Sequence, residues 1–151
     1  MKTLADIKGN IDIIIPRGQL SILRHHMPQI EEKDYPEFFY LLSLRSIEFH
    51  RSILQSKILK AAQKEIDLDK VREWMKSMPL KARKKPCIVS KDLYILDGNH
   101  TWLAKLNKNH NSTIECFVVD LNMVDLLNII RLFDKVTYKT INEEYDVIRF
   151  I

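Results

Sequence analysis

Asp97-Gly98-Asn99-His100-Thr101 sets a carboxylate, a residue without a Cβ, an amide, an imidazole and a hydroxyl on five consecutive positions. That set is suited to holding a polyphosphate. Thr101 can donate to a phosphate oxygen, and His100 can donate or carry charge as the ligand requires. Asp97 has the chemistry to hold Mg²⁺ or to act as a base toward an attacking hydroxyl or water. Arg17 and Arg24 are candidates for the outer phosphate, because a guanidinium fork meets two phosphate oxygens at once. Gln29 belongs to the same N-terminal segment, and Glu31 and Glu32 are the nearest acids on that side, hence candidates for a general base. Each of these has a purely structural alternative. Asp97 and Asn99 can cap a helix, Thr101 can satisfy local backbone, His100 can pack on a sheet, and Glu31, Glu32 and Asp34 can be plain acidic surface.

Positioning the five residues takes a strand, a bend and a helix. Leu93-Tyr94-Ile95-Leu96 is an apolar run of strand length, and Asn99 to Lys108 carries Trp102, Leu103 and Leu106 at helical spacing. Gly98 lets the chain take a positive φ or lets another group approach the backbone closely. The first amides of the helix then point outward with a partial positive charge, a ready site for an anion. Before this junction, Cys87 to Val89 reads as a strand joined to Leu93–Leu96 through Ser90-Lys91-Asp92 as a hairpin.

The remaining segments are read in the same way. Ile11 to Ile15 has strand composition ending at Pro16, and Gly18 to His26 is a short helix or turn closed by Met27-Pro28. Tyr35 to His50 is expected to be helical, with a short strand near Ser56 to Leu59. Asp67 to Met78 is an amphipathic helix, stopped by Pro79. Ile114, Cys116 and Val118 alternate as a strand. Met123, Leu126, Leu127, Ile130 and Phe133 form an amphipathic helix behind Asn122 as cap. From Asp134 onward the apolar residues suit a final edge strand or an oligomer contact, the candidate surface for a homodimer.

With 151 residues, the chain fits one domain with a core that needs no disulfides. Hydrophobic content of 46% with 29% charged residues is globular composition. No apolar run approaches the ~20 residues of a membrane span, and the N-terminus lacks a secretory h-region, so a cytoplasmic protein is expected. Cys87 and Cys116 lack metal-ligand spacing and read as small buried apolar residues. A net charge of +4 is compatible with phosphate-bearing partners. The tightest basic cluster, Lys81, Arg83, Lys84 and Lys85, is either a solvated loop or a contact for a nucleic-acid backbone. Short strands interleaved with helices give an α/β or α+β single domain, with a tail over 134–151.

The run from Lys85 to Ala104 resembles the core of the ParB/sulfiredoxin-like superfamily. In small phage and bacterial members a Pro-led strand, a turn and a second strand lead to Asp-Gly-His-His-Arg at a helix start. Here that motif reads Asp97-Gly98-Asn99-His100-Thr101, so the family Arg is replaced by Thr101. Ile15-Pro16-Arg17, Arg24 and Met27-Pro28-Gln29-Ile30 are similar to the N-terminal signature of the phage-type members. The resemblance extends from about Ile15 to Phe133 and implies the compact mixed-sheet fold of that superfamily, an α+β, mixed α/β domain over 1–133 with a small mixed sheet flanked by helices. It also narrows the activity. Sulfiredoxin-type repair needs a cysteine at the position of Asn99, and a clamp-forming partition CTPase needs arginines where His100 and Thr101 stand. Kinases of the superfamily that use an Asp-Gly loop to hold nucleotide phosphates leave phosphoryl transfer open.

Three functions are therefore expected to compete. The first is an enzyme that cleaves or transfers the terminal phosphate of ATP or another NTP with Mg²⁺ at the Asp97 to Thr101 bend. The second is a DNA-binding protein or ParB-like nuclease, a phage accessory factor. The third is an inactive scaffold that binds a partner protein.

Overall fold

The computed structural model describes residues 2–3, 20, 22, 26–62, 65–77, 86–138 and 147–149. Among them are four α-helices and a five-stranded mixed sheet, a compact α+β fold. The helices are α1 (Tyr35–Leu44), α2 (Leu68–Ser77), α3 (Asn99–Lys108) and α4 (Met123–Ile130). In chain order the strands are β1 (Lys2–Thr3), β2 (Pro28–Gln29), β3 (Phe49–Gln55), β4 (Lys60–Ala61), β5 (Glu65–Asp67), β6 (Cys87–Ser90), β7 (Tyr94–Asp97), β8 (Thr113–Val119), β9 (Thr137–Tyr138) and β10 (Val147–Arg149). The main sheet runs β3-β8-β6-β7-β4, with the β3/β8 and β6/β7 pairs antiparallel and the β8/β6 and β7/β4 pairs parallel.

Side-chain alternation assigns the two faces of this sheet to two helix pairs. Cys87, Val89, Ile95, Ile114 and Cys116 face one core cluster with Leu68 and Val71 of α2 and Trp102, Leu103 and Leu106 of α3. Ile88, Tyr94, Leu96 and Val119 face the other, with Phe38, Phe39 and Leu42 of α1 and Met123, Leu126 and Ile130 of α4. Every residue of β6 and β7 is buried, as expected for central strands covered on both sides. The sheet is thus the middle of three layers. Trp102 is fully buried, and its indole N–H donates to the Ser56 carbonyl at 2.8 Å, pinning α3 to the turn before β4.

Two expectations are corrected. The helix from Tyr35 stops at Leu44, not His50, because a turn with Ser46 at φ 59° follows Arg45 and the chain re-emerges as β3. Ser56 to Ile58 is a single 3-10 turn, so the strand expected near Ser56 to Leu59 is replaced by β3 before it and β4 after it. The helix from Asn99 to Lys108 has the expected bounds, and Asn122 Oδ1 accepts from the Asp125 amide at 2.9 Å as its cap role requires. The β6–β7 hairpin also forms as read. Ile11–Ile15 and the segment from Gly18 as far as His25 lie outside the described residues, apart from Leu20 and Ile22.

Past α4, the described segments of the chain pack on the body. Lys135 Nζ lies 2.6 Å from Glu37 and 3.9 Å from Asp34, joining the tail to the start of α1. Strand β9 pairs antiparallel with β2, and β10 lies between β1 and β5 in a three-stranded sheet. Among the described residues no helix is long and apolar enough to cross a membrane.

Candidate functional site

The site forms where β7 ends and α3 begins. Gly98 has φ 110° and ψ 18°, a left-handed conformation in which a Cβ would cost on the order of 1–2 kcal/mol. Lacking a side chain, it leaves the helix start without the side-chain cap that Ser, Thr, Asp or Asn would supply at that position. The first helical bond that Gly98 accepts comes from the Trp102 amide, at 3.0 Å. The amides of Asn99, His100 and Thr101 precede it and have no acceptor within the helix.

Asp97 closes β7, and its Oδ2 is turned toward α1. That oxygen accepts a hydrogen bond from the Tyr35 hydroxyl at 2.6 Å, across 62 positions of sequence. The Pro86 carbonyl, 3.2 Å from the same hydroxyl, is the longer and competing acceptor. Tyr35 is buried in the core beside Phe39 and Phe117, so the phenol is held by edge-on ring contacts and orients the carboxylate. Asp97 itself is only 6% exposed.

Around this bend lies a cavity of about 40 Å³ lined by Gln29, Lys70, Trp74, Leu96, Asp97, Gly98, Asn99 and His100. That volume is on the order of three water positions, enough for one phosphoryl group and far too little for a nucleoside. Asn99 is 5% exposed and its Oδ1 has no hydrogen-bond partner, and Thr101 Oγ1 is likewise buried and unpartnered. Buried polar atoms left unpaired cost about 1–3 kcal/mol, so Asn99 Oδ1, unpaired on a cavity-lining residue, is an acceptor open to a ligand or a water. Because an Asn amide carries an acceptor and two donors, Asn99 can serve a cation or a phosphate oxygen.

Of the residues singled out from sequence, the structure brings Gln29, Asp97, Gly98, Asn99 and His100 to one cavity. Thr101 is buried next to them without lining it. Glu31 and Glu32 are exposed, Glu31 lies 3.4 Å from Lys33, and neither lines the cavity. Arg17, Arg24, Lys81, Arg83, Lys84 and Lys85 lie outside the described residues.

Lys70 and Trp74 were not anticipated. They sit one turn apart on α2, with Lys70 Nζ 5.3 Å from the Trp74 ring centre. The i, i+4 spacing of a cation and an indole was the available signal. What sequence could not supply was that α2 packs along α3 and carries this pair to the Asp97 bend. Lys70 gives the cavity a basic side chain.

Among the described residues no three His, Cys, Asp or Glu side chains meet as a metal cage. Magnesium ordinarily takes one or two carboxylates and completes its shell with phosphate oxygens and water, a pattern that Asp97 and the unpartnered Asn99 Oδ1 fit. Two more open hollows, one bounded by Ile22, His26, Leu127, Arg131 and Tyr138 and one by Ser43 and Ser46 to His50, are larger at about 510 and 490 Å³. Among the described residues, neither includes a helix start or a buried unpartnered polar atom.

No family model, curated protein or solved structure matches this chain.

Proposed function

We propose that this chain is a ParB/sulfiredoxin-like protein that takes the terminal phosphate of an NTP into the cavity at the start of α3 and cleaves or transfers it. The observation that carries the reading is the convergence of Lys70, the start of α3 and the buried Asp97 carboxylate on a cavity of phosphoryl size. Lys70 and the helix amides would neutralise the phosphate oxygens, and Gln29 and Asn99 would orient them. Asp97 and Asn99 would hold Mg²⁺ together with those oxygens, and the ion when bound would spread the charge that develops on the transferred group. Tyr35 keeps the carboxylate in one orientation, which is the positioning that phosphoryl transfer chiefly requires.

The cavity's size has a consequence for recognition. Sugar and base lie outside it, so recognition by this cavity alone does not distinguish the four common NTPs. Thermal unfolding with ATP, GTP, CTP, UTP, ADP and orthophosphate, each with Mg²⁺, tests this. Binding at a hundredfold excess over the dissociation constant adds about 2.7 kcal/mol, which at this chain length is a rise of roughly 5–10 °C. The expected result is a similar rise with all four NTPs that is lost in Lys70→Ala. No rise with any of them, or a rise unchanged in that variant, rejects the reading; a rise only with DNA that fades with salt would replace it with nucleic-acid binding.

A further inference from the structure

His100, the second residue of α3, lines the cavity and is buried, yet neither holding Mg²⁺ nor neutralising phosphate oxygens requires an imidazole there. The residues around the cavity divide into a wall and a mouth. Leu96, Asp97, Gly98, Asn99 and His100 are buried and form the inner wall, whereas Gln29, Lys70 and Trp74 are half-buried and border solvent. A terminal phosphoryl group held here directs the rest of its phosphate chain out through that mouth, since the cavity has no volume for it. Phosphoryl transfer sets the attacking and leaving oxygens or nitrogens roughly in line, so the first attack comes from the inner wall. Once the phosphoryl group fills about three water positions, no water fits between phosphorus and that wall. The attacking lone pair then belongs to a side chain. Of the five wall residues only the Asp97 carboxylate and the His100 imidazole can supply one. Asp97 Oδ2 is turned to the Tyr35 hydroxyl at 2.6 Å, and a carboxylate adds negative charge against the phosphate oxygens. The imidazole offers a lone pair without that charge.

Resting on the phosphoryl-transfer reading of this cavity, we propose that His100 is its nucleophile and carries the terminal phosphoryl group as a phosphohistidine between two displacements. In the first, the imidazole lone pair forms an N–P bond, the P–O bond to the leaving phosphate breaks, and the electron pair departs on the NDP oxygen. Release of the NDP opens the mouth. In the second, a water oxygen entering there attacks phosphorus, the N–P bond breaks, and its electron pair returns to the ring nitrogen. Orthophosphate leaves, and the spare proton of the water passes to solvent. An acceptor hydroxyl takes the place of water with the same balance. Splitting the transfer in this way lets one small cavity serve both partners in turn, each from the solvent side.

The test incubates the full chain with Mg²⁺ and ATP radiolabelled on its terminal phosphate, denatures it in alkali and counts label on the protein. The expected result is label that survives alkali and is lost in mild acid, as an N–P bond requires. His100→Gln should abolish it while keeping the thermal rise with ATP. The parent protein is also given ATP whose terminal phosphate is made chiral with oxygen isotopes, which decides the matter even where the intermediate breaks down faster than it is trapped. Two displacements restore the configuration at phosphorus, and a single one inverts it. Inversion overturns the proposal. So does label that hydroxylamine or alkali removes, which would place the phosphoryl group on Asp97, or label or turnover that a folded His100→Gln retains. Those outcomes leave phosphoryl transfer at the cavity standing. A parent protein with neither a thermal rise nor turnover with ATP removes that reading and this one together.

Discussion

Trp102→Ala should lower the free energy of unfolding by about 3–5 kcal/mol, a large part of the 5–15 typical of a whole domain. Trp102 has no exposed surface and is among the largest fully buried side chains. It also satisfies the Ser56 carbonyl, whose residue is joined in turn to Ser112 through its amide at 3.0 Å and its hydroxyl at 2.8 Å. Truncation therefore leaves both a cavity and an orphaned carbonyl in the turn that connects β3 to β4. Trp102→Phe separates the two losses, since it keeps most of the packing and removes the hydrogen bond, at about 1–3 kcal/mol. Urea unfolding with unchanged slope measures both. A cost for Trp102→Ala below that of Trp102→Phe would mean that α3 is not anchored through this contact.

Asp97→Ala should reduce Mg²⁺-dependent release or transfer of the NTP terminal phosphate by about 10²–10³-fold, the scale of losing one preorganised electrostatic contact. It also removes the nearer of the two acceptors of the Tyr35 hydroxyl and leaves the longer one, the Pro86 carbonyl, so a stability loss of about 1 kcal/mol should accompany it. The two effects are separable through Tyr35→Phe, which removes the same hydrogen bond and keeps the carboxylate in the cavity. If Asp97 acts on the ligand, Tyr35→Phe, which loosens the carboxylate but leaves it in the cavity, loses less turnover than Asp97→Ala while showing a similar loss of stability. Phosphate release measured at a temperature where both variants are folded decides the point. Undiminished turnover in Asp97→Ala removes Asp97 from the reaction.

Sequence legibility was highest where punctuation was strong. Gly98 and the polar turn after Lys108 bound α3 on both sides, and Asn122 caps α4 through the bond its side chain suggested. The end of α1 was harder. No Gly or Pro marks the turn at Arg45 to Glu48, and Phe49 continues the apolar spacing of the helix although it belongs to β3. Strand β3 was missed for a physical reason as well. As a marginal strand with Ile53 outward, it does not show the clean alternation of a half-buried strand. At the site, the local part was readable: an acid, a glycine bend and a helix start. The Tyr35 hydroxyl on Asp97 and the Lys70–Trp74 pair at the cavity arise from packing of α1 and α2, and no local pattern announces either.

The placing of β8 between β3 and β6 bears on how the chain is born. Arg51 and Glu115, neighbours in the finished sheet, are 64 positions apart. At about 5–20 residues per second, a ribosome takes roughly three to thirteen seconds between emitting one and the other. Throughout that interval the nascent Phe49–Gln55 segment has no strand to pair with, and both α-helical layers lack the middle of the sheet they cover. Nascent chains halted before residue 113 has left the exit tunnel should therefore remain protease-sensitive and bind hydrophobic-segment chaperones, whereas chains halted well after Phe133 has emerged should resist digestion.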